Sequence, residues 1–550
     1  MTMTDDPRTE SPTHPATSAV EGPAGTPPPR ALTGPALWLT TYDHKVVGRL
    51  YLALSLVFLL VGSAAGGVLG VERIDSGLQL VVGDAFARLH TLHGEVTVLL
   101  FLVPFFLGLA TYLVPLQIGA SDIAFPRGSA TALWSYVVGG IMLLGAYAAD
   151  GGLASGTTVG TDLYLLSLAV LAVSTCLALV SILTTAVTLR SPGMTMLRTP
   201  LFTWSMVVGG GLTLLATPVL LARLIELYIH HHFGADLASL DAADQLNWFW
   251  SIPQVYLLAV PAAGVAAEVV PVFTRSRLRR NSVGIAALGA LGLLGFGAWA
   301  QVDPYADDLL YVIAGLAAVV PALALLGVLG DTVRRGRFVR KAPLLLALGG
   351  LVHLFLGTLA GAVQVIPGLE LGGTVWAAAQ VHYTLFGGAV LGAYAALWYW
   401  APKIWGVHLG EGAGMAAFVL TFWGVVLLAL PDLVSGLFSD RLLGASRFDD
   451  EALTVVLNVA SAAGGALAAL GVLVVVGNLL ARVARKGGTR ALADPWEGST
   501  LEWATSSPPP PGNFTGEVPP VTSAWPVADQ RAQERAVAPT DDPEVAEVRP

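Results

Sequence analysis

The chain has 550 residues, of which 54% are hydrophobic and only 12% are charged. Soluble globular domains carry about 25% charged residues, so this composition excludes an ordinary soluble protein. The net charge of −9 gives no indication of nucleic-acid binding. The single cysteine, Cys176, excludes an intrachain disulfide and any paired-cysteine metal or redox site.

Apolar runs recur from residue 46 to residue 481 with only short polar breaks. A run of about 20 apolar residues spans the hydrocarbon core of a bilayer as a helix. The pattern therefore predicts an all-α integral membrane bundle of about twelve transmembrane helices. The predicted spans are 46–71, 90–117, 130–150, 161–189, 201–229, 246–272, 282–302, 308–330, 342–366, 375–402, 412–435 and 452–481.

Both ends of the chain differ in composition from this membrane region. Residues 1–37 and 487–550 are polar and rich in proline. Such sequences bury too little apolar surface to fold alone, so we expect tails that are disordered or lie on the surface. The sequence thus divides into an N-terminal tail, a membrane domain over residues 38–486, and a C-terminal tail.

The distribution of Lys and Arg between the short loops predicts the orientation in the membrane. If the N-terminus is cytoplasmic, the inward loops hold thirteen basic residues and the outward loops hold four. This excess predicts a multi-pass protein of the cell (plasma) membrane with both termini in the cytoplasm.

Ionisable residues at bilayer depth are functional candidates, because a charged group there costs about 2.5–3.5 kcal/mol. The candidates are His93 and Glu95 in the second predicted span, Glu268 in the sixth, His353 in the ninth and His382 in the tenth, with His90 at the rim of the second.

Two of these histidines enter the membrane from the same side. His93 lies a few residues into the second span and His382 about seven residues into the tenth, which places them roughly 5 and 10 Å deep at 1.5 Å per residue. Two such imidazoles could clamp a planar metal cofactor between facing helices. The alternative is two unrelated buried histidines that bond to neighbouring carbonyl groups. Depth alone leaves both interpretations open.

The residues around these histidines resemble subunit I of the haem–copper oxidases. The matching stretches are TTYDHKVVG (40–48), Leu92-His93-Gly94, PLQIGASDIAFPR (115–127), PQVYLLAVPAAGVAAEVVPVFTR (253–275), VHYTLFGG (381–388) and DPWEGSTLEWATSSPPPPGNF (494–514). Their order and spacing resemble the family over residues 38–514, and the predicted number of helices agrees with it.

The resemblance implies that the copper ligands of the family's oxygen-reducing centre are missing from this sequence. That centre holds copper by one histidine of the sixth helix and two of the seventh, and the corresponding residues here are Ile252, Gln301 and Val302. None of them offers the imidazole or sulfur donor that copper needs at such a site. We therefore expect copper to be absent.

By the same resemblance, the ligand of one haem is lost and the two ligands of the other haem are retained. In the tenth span, the histidine that holds the family's high-spin haem is replaced by Gln380, whereas the low-spin ligand His382 is retained. Its partner on the opposite haem face would be His93, also retained. We expect one low-spin haem, of type a or b, with Arg447 as the remaining half of the family's arginine pair for the propionates.

Among the other functional positions of the family, some residues are replaced here and others are retained. Gln254 replaces the glutamate of the sixth helix, Leu325 replaces a lysine of one proton path, and Gly372-Gly373 replaces a His-Asp pair. Asp122 and Tyr256 are retained. A core aromatic residue explains Tyr256 better than a redox role does, and a helix-terminus residue in a loop is an alternative explanation for Asp122.

Two further features leave alternatives open. Glu95 is unusual for its position and could tune a haem or bond to a neighbour. His230, His231 and His232 are predicted to lie in an outward loop, where a solvated surface run explains them better than a metal site.

These observations predict a membrane haemoprotein whose six-coordinate iron has no open position for oxygen, so its natural chemistry is one-electron transfer. It would pass electrons or stabilise an oxidase assembly in a respiratory chain, as a pseudoenzyme among oxidoreductases. The expected partners are the lipid bilayer, other oxidase-type subunits and a cytochrome or quinol electron donor. One rival is a terminal oxidase with an unfamiliar centre. The other is a haem-free structural or transport protein, against which the retention of His93 and His382 argues.

Overall fold

The structure is a computed structural model that describes residues 35–74, 80–81, 84–153, 157–234, 246, 252–301, 305–438, 452–484 and 490–537. Within these ranges, eleven helices are long and apolar enough to cross a membrane. They are α1 (His44–Glu72), α2 (Ala85–Gln117), α3 (Pro126–Ala148), α4 (Thr158–Thr188), α5 (Leu201–Phe233), α6 (Ile252–Phe273), α7 (Asn281–Gln301), α8 (Leu309–Arg335), α9 (Ala342–Gln364), α11 (Glu411–Gly436) and α12 (Ala452–Ala484).

A further continuous helix, α10, covers residues 375–405. It corresponds to the predicted span 375–402, and it is less apolar than the other eleven. The prediction of an all-α membrane bundle is confirmed. We call the end of the bundle at which α1 begins the inner end, and the opposite end the outer end.

The helices α2 and α10 each contain a π-helical stretch. In α2 it covers Val96–Leu102, and in α10 it covers His382–Val390. Stretches of this kind inside α-helices are frequent at functional sites. Here one follows His93 by three residues and the other begins at His382, so both candidate ligands lie where the helical hydrogen-bond pattern changes.

The inner half of α10 lies at the centre of the bundle. Its residues from Leu391 to Ile404 are buried, and they share one hydrophobic core with α2 and α6. Small residues let α1 approach α2 closely, since a Cβ atom on Gly48 would lie only 2.7 Å from the carbonyl oxygen of Gly108. Backbone contact at this crossing fixes α1 against α2, which carries His93.

Residues 490–537 pack against the inner end of the bundle. The amino group of Lys403, at the end of α10, donates hydrogen bonds to the carbonyl oxygens of Thr505 (2.7 Å), Ala493 (3.1 Å) and Ser506 (3.2 Å). Within the segment Glu502 is buried. Of the two alternatives left open for the C-terminal tail, these residues therefore adopt the packed one.

The tail ends its described part in a short helix, α13 (Pro526–Val537). Asp529 of this helix pairs with Arg277 in the loop between α6 and α7 at 2.7 Å. Near the N-terminus, Pro35–Thr40 forms a separate short helix, which belongs to a different compact unit from the bundle.

Candidate functional site

The imidazole of His93 is held by α1. Its Nδ1 atom lies 2.9 Å from the carbonyl oxygen of Gly62. The ring lies over Gly66, where a Cβ atom would come within 2.8 Å of the His93 Cε1 atom. When Nδ1 donates to this carbonyl, the Nε2 atom carries the lone pair, which is the arrangement that a metal-ligating histidine needs.

His382 lies on α10 at the start of its π-helical stretch. Its Nδ1 atom is buried and has no hydrogen-bond partner among the described residues. Four groups lie close enough to act on this ring electrostatically: Asp432, His93, Arg73 and His90. The bundle therefore brings His93 and His382 into one region, on two different helices.

An ion pair next to this region was missed in the sequence. Arg73, at the end of α1, pairs with Asp432 of α11, and both bonds measure 3.1 Å. Asp432 lies inside the predicted span 412–435, so the list of ionisable groups at bilayer depth was incomplete. The signal that could have found it is the presence of a carboxylate in an apolar span.

The residue predicted to replace the family's high-spin haem ligand, Gln380, is tightly packed. The Gln380 side chain is buried, and its amide nitrogen donates to the hydroxyl oxygens of Tyr256 (3.4 Å) and Thr384 (3.2 Å). The Tyr256 hydroxyl in turn lies against Gly361 of α9, where it fills the space that a side chain would occupy.

Of the other three positions where family ligands are predicted to be lost, the structure describes the side chain of Gln301 alone. Gln301, at the end of α7, accepts a hydrogen bond from the Gln364 side chain at 3.3 Å. Ile252 begins α6, but its side chain is outside the described part of the chain, as are Val302 and Arg447 altogether. The predictions for these three residues are therefore not tested.

The remaining candidates of the sequence have ordinary partners. Glu95 accepts hydrogen bonds from the hydroxyl groups of Tyr147 (2.9 Å) and Tyr164, so of the two alternatives it bonds to neighbours. Glu268 accepts from the Phe202 amide at 3.3 Å and caps the start of α5. It therefore joins α6 to the start of α5.

His353 of α9 is fully buried between aromatic rings. Its ring centroid lies 4.5 Å from that of Phe422 and 5.5 Å from that of Tyr383. It belongs to the packing of α9 against α10 and α11.

The three consecutive histidines lie on a helix, and the prediction of a loop is wrong. His230, His231 and His232 form the last turn of α5, because the helix continues four residues beyond the predicted end at residue 229. His232 lies 2.8 Å from Asp162 of α4 and His231 lies 3.8 Å from it. Among the described residues, no group of three or more potential ligands is placed to hold a metal ion.

The structure also describes the surroundings of Asp122, Leu325 and Gly372-Gly373. Asp122 is exposed in the loop after α2, where its carboxylate accepts from the Ile123 amide at 2.8 Å. Leu325 is buried in the core of the bundle. Gly372 and Gly373 lie in a single turn of 3₁₀-helix before α10.

Comparison with known proteins identifies the class of this bundle. The family described as "Cytochrome C and Quinol oxidase polypeptide I" matches residues 46–467, which is most of the chain. The protein therefore belongs to that family of membrane proteins, and the resemblance on which the sequence analysis relied is confirmed.

Curated relatives agree over nearly the whole length. A Streptomyces coelicolor protein, itself only provisionally named as a cytochrome c oxidase subunit 1-beta, is 35% identical over 520 residues, with 90% of each chain covered. "Cytochrome c oxidase subunit 1" of Corynebacterium efficiens is 32% identical over 523 residues, with 89% of each chain covered. "Heme-copper oxidase subunit I+III" of Aeropyrum pernix is 32% identical over 507 residues, which are 87% of this chain and 61% of that protein.

Proposed function

We propose that the protein is a subunit I-like membrane haemoprotein that holds one low-spin haem between His93 and His382. In this proposal it serves electron transfer, or the assembly of an oxidase, in the respiratory chain of the plasma membrane, and it does not reduce oxygen itself. The observation that carries the proposal is the convergence of two imidazoles from α2 and α10 in one region of the bundle.

The residues present fit a haem with two histidine ligands. The Nδ1 atom of His93 is engaged by Gly62, so Nε2 is the atom that would face an iron. The His382 ring is buried and has an unpartnered nitrogen. A haem held by both imidazoles would supply one-electron transfer, because its iron would have no coordination position open to oxygen. Arg447 is the proposed partner of a haem propionate.

In this proposal the protein lacks the family's oxygen-reducing centre of copper and high-spin haem. Imidazole donors are replaced at all four of its ligand positions, Ile252, Gln301, Val302 and Gln380. The Gln380 amide is instead committed to Tyr256 and Thr384. An amide is a poor donor for copper or for haem iron compared with imidazole. We therefore propose that copper and a high-spin haem are absent.

Partners follow from the family and its members. The family's description names cytochrome c and quinol oxidases, which supports a cytochrome or a quinol as the electron donor. The name of the Aeropyrum pernix relative joins subunit I to subunit III, which supports association with other oxidase subunits here. The proposed orientation, with both termini in the cytoplasm, rests on the distribution of Lys and Arg.

The test is a matched pair of histidine variants. In His382→Ala, the low-spin haem spectrum of the purified protein should disappear, because one imidazole alone leaves a five-coordinate, weakly held haem. In His353→Ala, the low-spin spectrum should remain, although this histidine is also buried and its ring packs against the neighbouring Tyr383. A normal low-spin spectrum in His382→Ala would overturn the proposal.

A further inference from the structure

A buried ion pair joins the outer ends of α1 and α11. Two nitrogens of the Arg73 guanidinium donate to the two carboxylate oxygens of Asp432, each at 3.1 Å. Asp432 is only 1% exposed. Parallel, two-bond contacts of this kind are strong and fix the relative orientation of both groups.

Stability alone does not account for this pair. Taking two charges out of water costs several kcal/mol per ion, roughly what their mutual attraction returns, and apolar replacements of buried pairs are often neutral or stabilising. A buried pair therefore gives little net stability, and its position in the bundle is the better guide to its role.

The carboxylate of the pair lies on the face of α11 that packs against the His382 segment of α10. Ala429 of α11 packs with Ala379 and Tyr383, which flank His382 in the chain. Asp432 lies about one helical turn further along α11, toward its outer end. It is also the charged group that acts most strongly on the His382 ring.

The guanidinium of the pair belongs to the helix that holds the other histidine. Gly62 and Gly66 of α1 contact the His93 ring, and Arg73 lies directly after the end of the same helix. Arg73 acts electrostatically on His382 and also on His90. Both charges of the pair thus act on the His382 ring, one from the end of α1 and the other from α11.

The adjacent carboxylate is not part of this arrangement. Glu72 is buried, and its carboxylate accepts hydrogen bonds from the backbone amides of Leu80 (2.7 Å) and Val81 (3.2 Å). It joins the end of α1 to residues 80 and 81. Of these two carboxylates, Asp432 is therefore the one that acts electrostatically on His382.

We propose that the Arg73–Asp432 pair sets the reduction potential of the haem held by His93 and His382. The inference rests on the proposed function. Oxidation adds one positive charge to the haem, so the Asp432 carboxylate favours the oxidised state and the Arg73 guanidinium favours the reduced state. These effects are large in a low-dielectric interior and small in water. The pair keeps both charges fixed, and their balance determines the potential.

The experiment is a spectroelectrochemical titration of the full-length protein, purified in mild detergent, with the midpoint potential of the low-spin haem as the readout. Asp432→Asn should raise the midpoint potential, because only the positive charge remains. Arg73→Gln should lower it, because only the carboxylate remains. The double variant Arg73→Gln/Asp432→Asn and the charge-conserving Arg73→Lys should both lie close to the unmutated protein.

Controls separate this effect from general damage to the fold. Asp331→Asn removes a carboxylate that pairs with Arg335 at 2.9 Å at the inner end of α8, and it should leave the midpoint potential unchanged. Shifts of the same sign in both single variants, or a double variant displaced as far as they are, would overturn the inference. If one single variant fails to fold, the opposite shift predicted for the other single variant still tests the inference, and a midpoint potential that stays unchanged there would overturn it. A missing low-spin spectrum in the unmutated protein would instead refute the proposed function.

Discussion

The Nδ1 atom of His93 lies 2.9 Å from the carbonyl oxygen of Gly62, so a backbone group of α1 orients a side chain of α2. One turn further along α1, Gly66 lies directly under the same ring. In the proposed site, α1 would contribute no ligand of its own, yet its Gly62 carbonyl would leave Nε2 as the available nitrogen of His93. The contact at Gly66 leads to the first prediction.

The first prediction concerns Gly66. A Cβ atom there would come within 2.8 Å of the His93 ring, so Gly66→Val should displace the imidazole and remove most of the low-spin haem spectrum. Displacing a ring by about 30° from its preferred rotamer already costs on the order of 1 kcal/mol. Haem absorbance per purified chain is the measurement.

The neighbouring Gly67 is the matched control. A Cβ atom at Gly67 meets nothing within 4 Å, so Gly67→Val adds the same side chain to the same helix without touching His93. Equal haem loss in both variants would contradict the placement of the ring over Gly66.

The second prediction concerns pH and the C-terminal tail. Burial raises the pKa of Glu502, and burial also raises the pKa of Asp494. A carboxyl whose pKa is raised by folding stabilises the folded state below its ordinary pKa, and this contribution is lost as the pH rises through the raised value. The packing of residues 490–537 on the bundle should therefore weaken as the pH rises.

Limited proteolysis of the tail across the range from about pH 5 to pH 8 measures this effect. Cleavage should become faster with rising pH, and Glu502→Gln should flatten the dependence because its amide does not titrate. Glu497→Gln is the control, since that side chain is 55% exposed. The explanation fails if Glu502→Gln keeps the pH dependence of the unmutated protein.

The sequence predicted the helices well because their signal is local. The predicted span 342–366 compares with α9 at Ala342–Gln364, and the other boundaries generally lie within a few residues. The exceptions have physical causes. His230 to His232 are polar, yet they continue α5, because His231 and His232 approach Asp162 on α4 across a helix–helix contact that no local pattern reports.

The site was only partly predictable for the same reason. Intramembrane depth singled out His93 and His382, but the contact of His93 with Gly62 and the pair between Arg73 and Asp432 join residues far apart in the chain. The packed tail is similar, since Lys403 meets the carbonyl of Thr505 only in the folded protein. Such contacts depend on tertiary packing, which composition and periodicity do not encode.

The third prediction concerns copper. Metal analysis of the protein purified in mild detergent should find copper well below one atom per chain, because Ile252, Gln301 and Val302 offer no imidazole. Stoichiometric copper that resists chelators would contradict the assignment of these three positions. A family member with all three histidines, purified in parallel, shows that the procedure retains copper.

The fourth prediction concerns orientation. A reporter fused after residue 486 should be active only in the form that works in the cytoplasm, because the inward loops hold thirteen basic residues and the outward loops four. A reporter placed in the acidic loop at Asp307 should show the opposite result. Activity of the first fusion on the outer side would reverse the proposed orientation.

The fifth prediction concerns the open coordination position that oxygen reduction requires. With His93 and His382 both bound to one iron, carbon monoxide has no free site, so the spectrum of the reduced protein should hardly change when the gas is added. This measurement tests the absence of an oxygen-reducing centre most directly. A low-spin spectrum that is insensitive to carbon monoxide is the result expected here. Stoichiometric binding of carbon monoxide by the unmutated protein would show a high-spin haem and contradict the account.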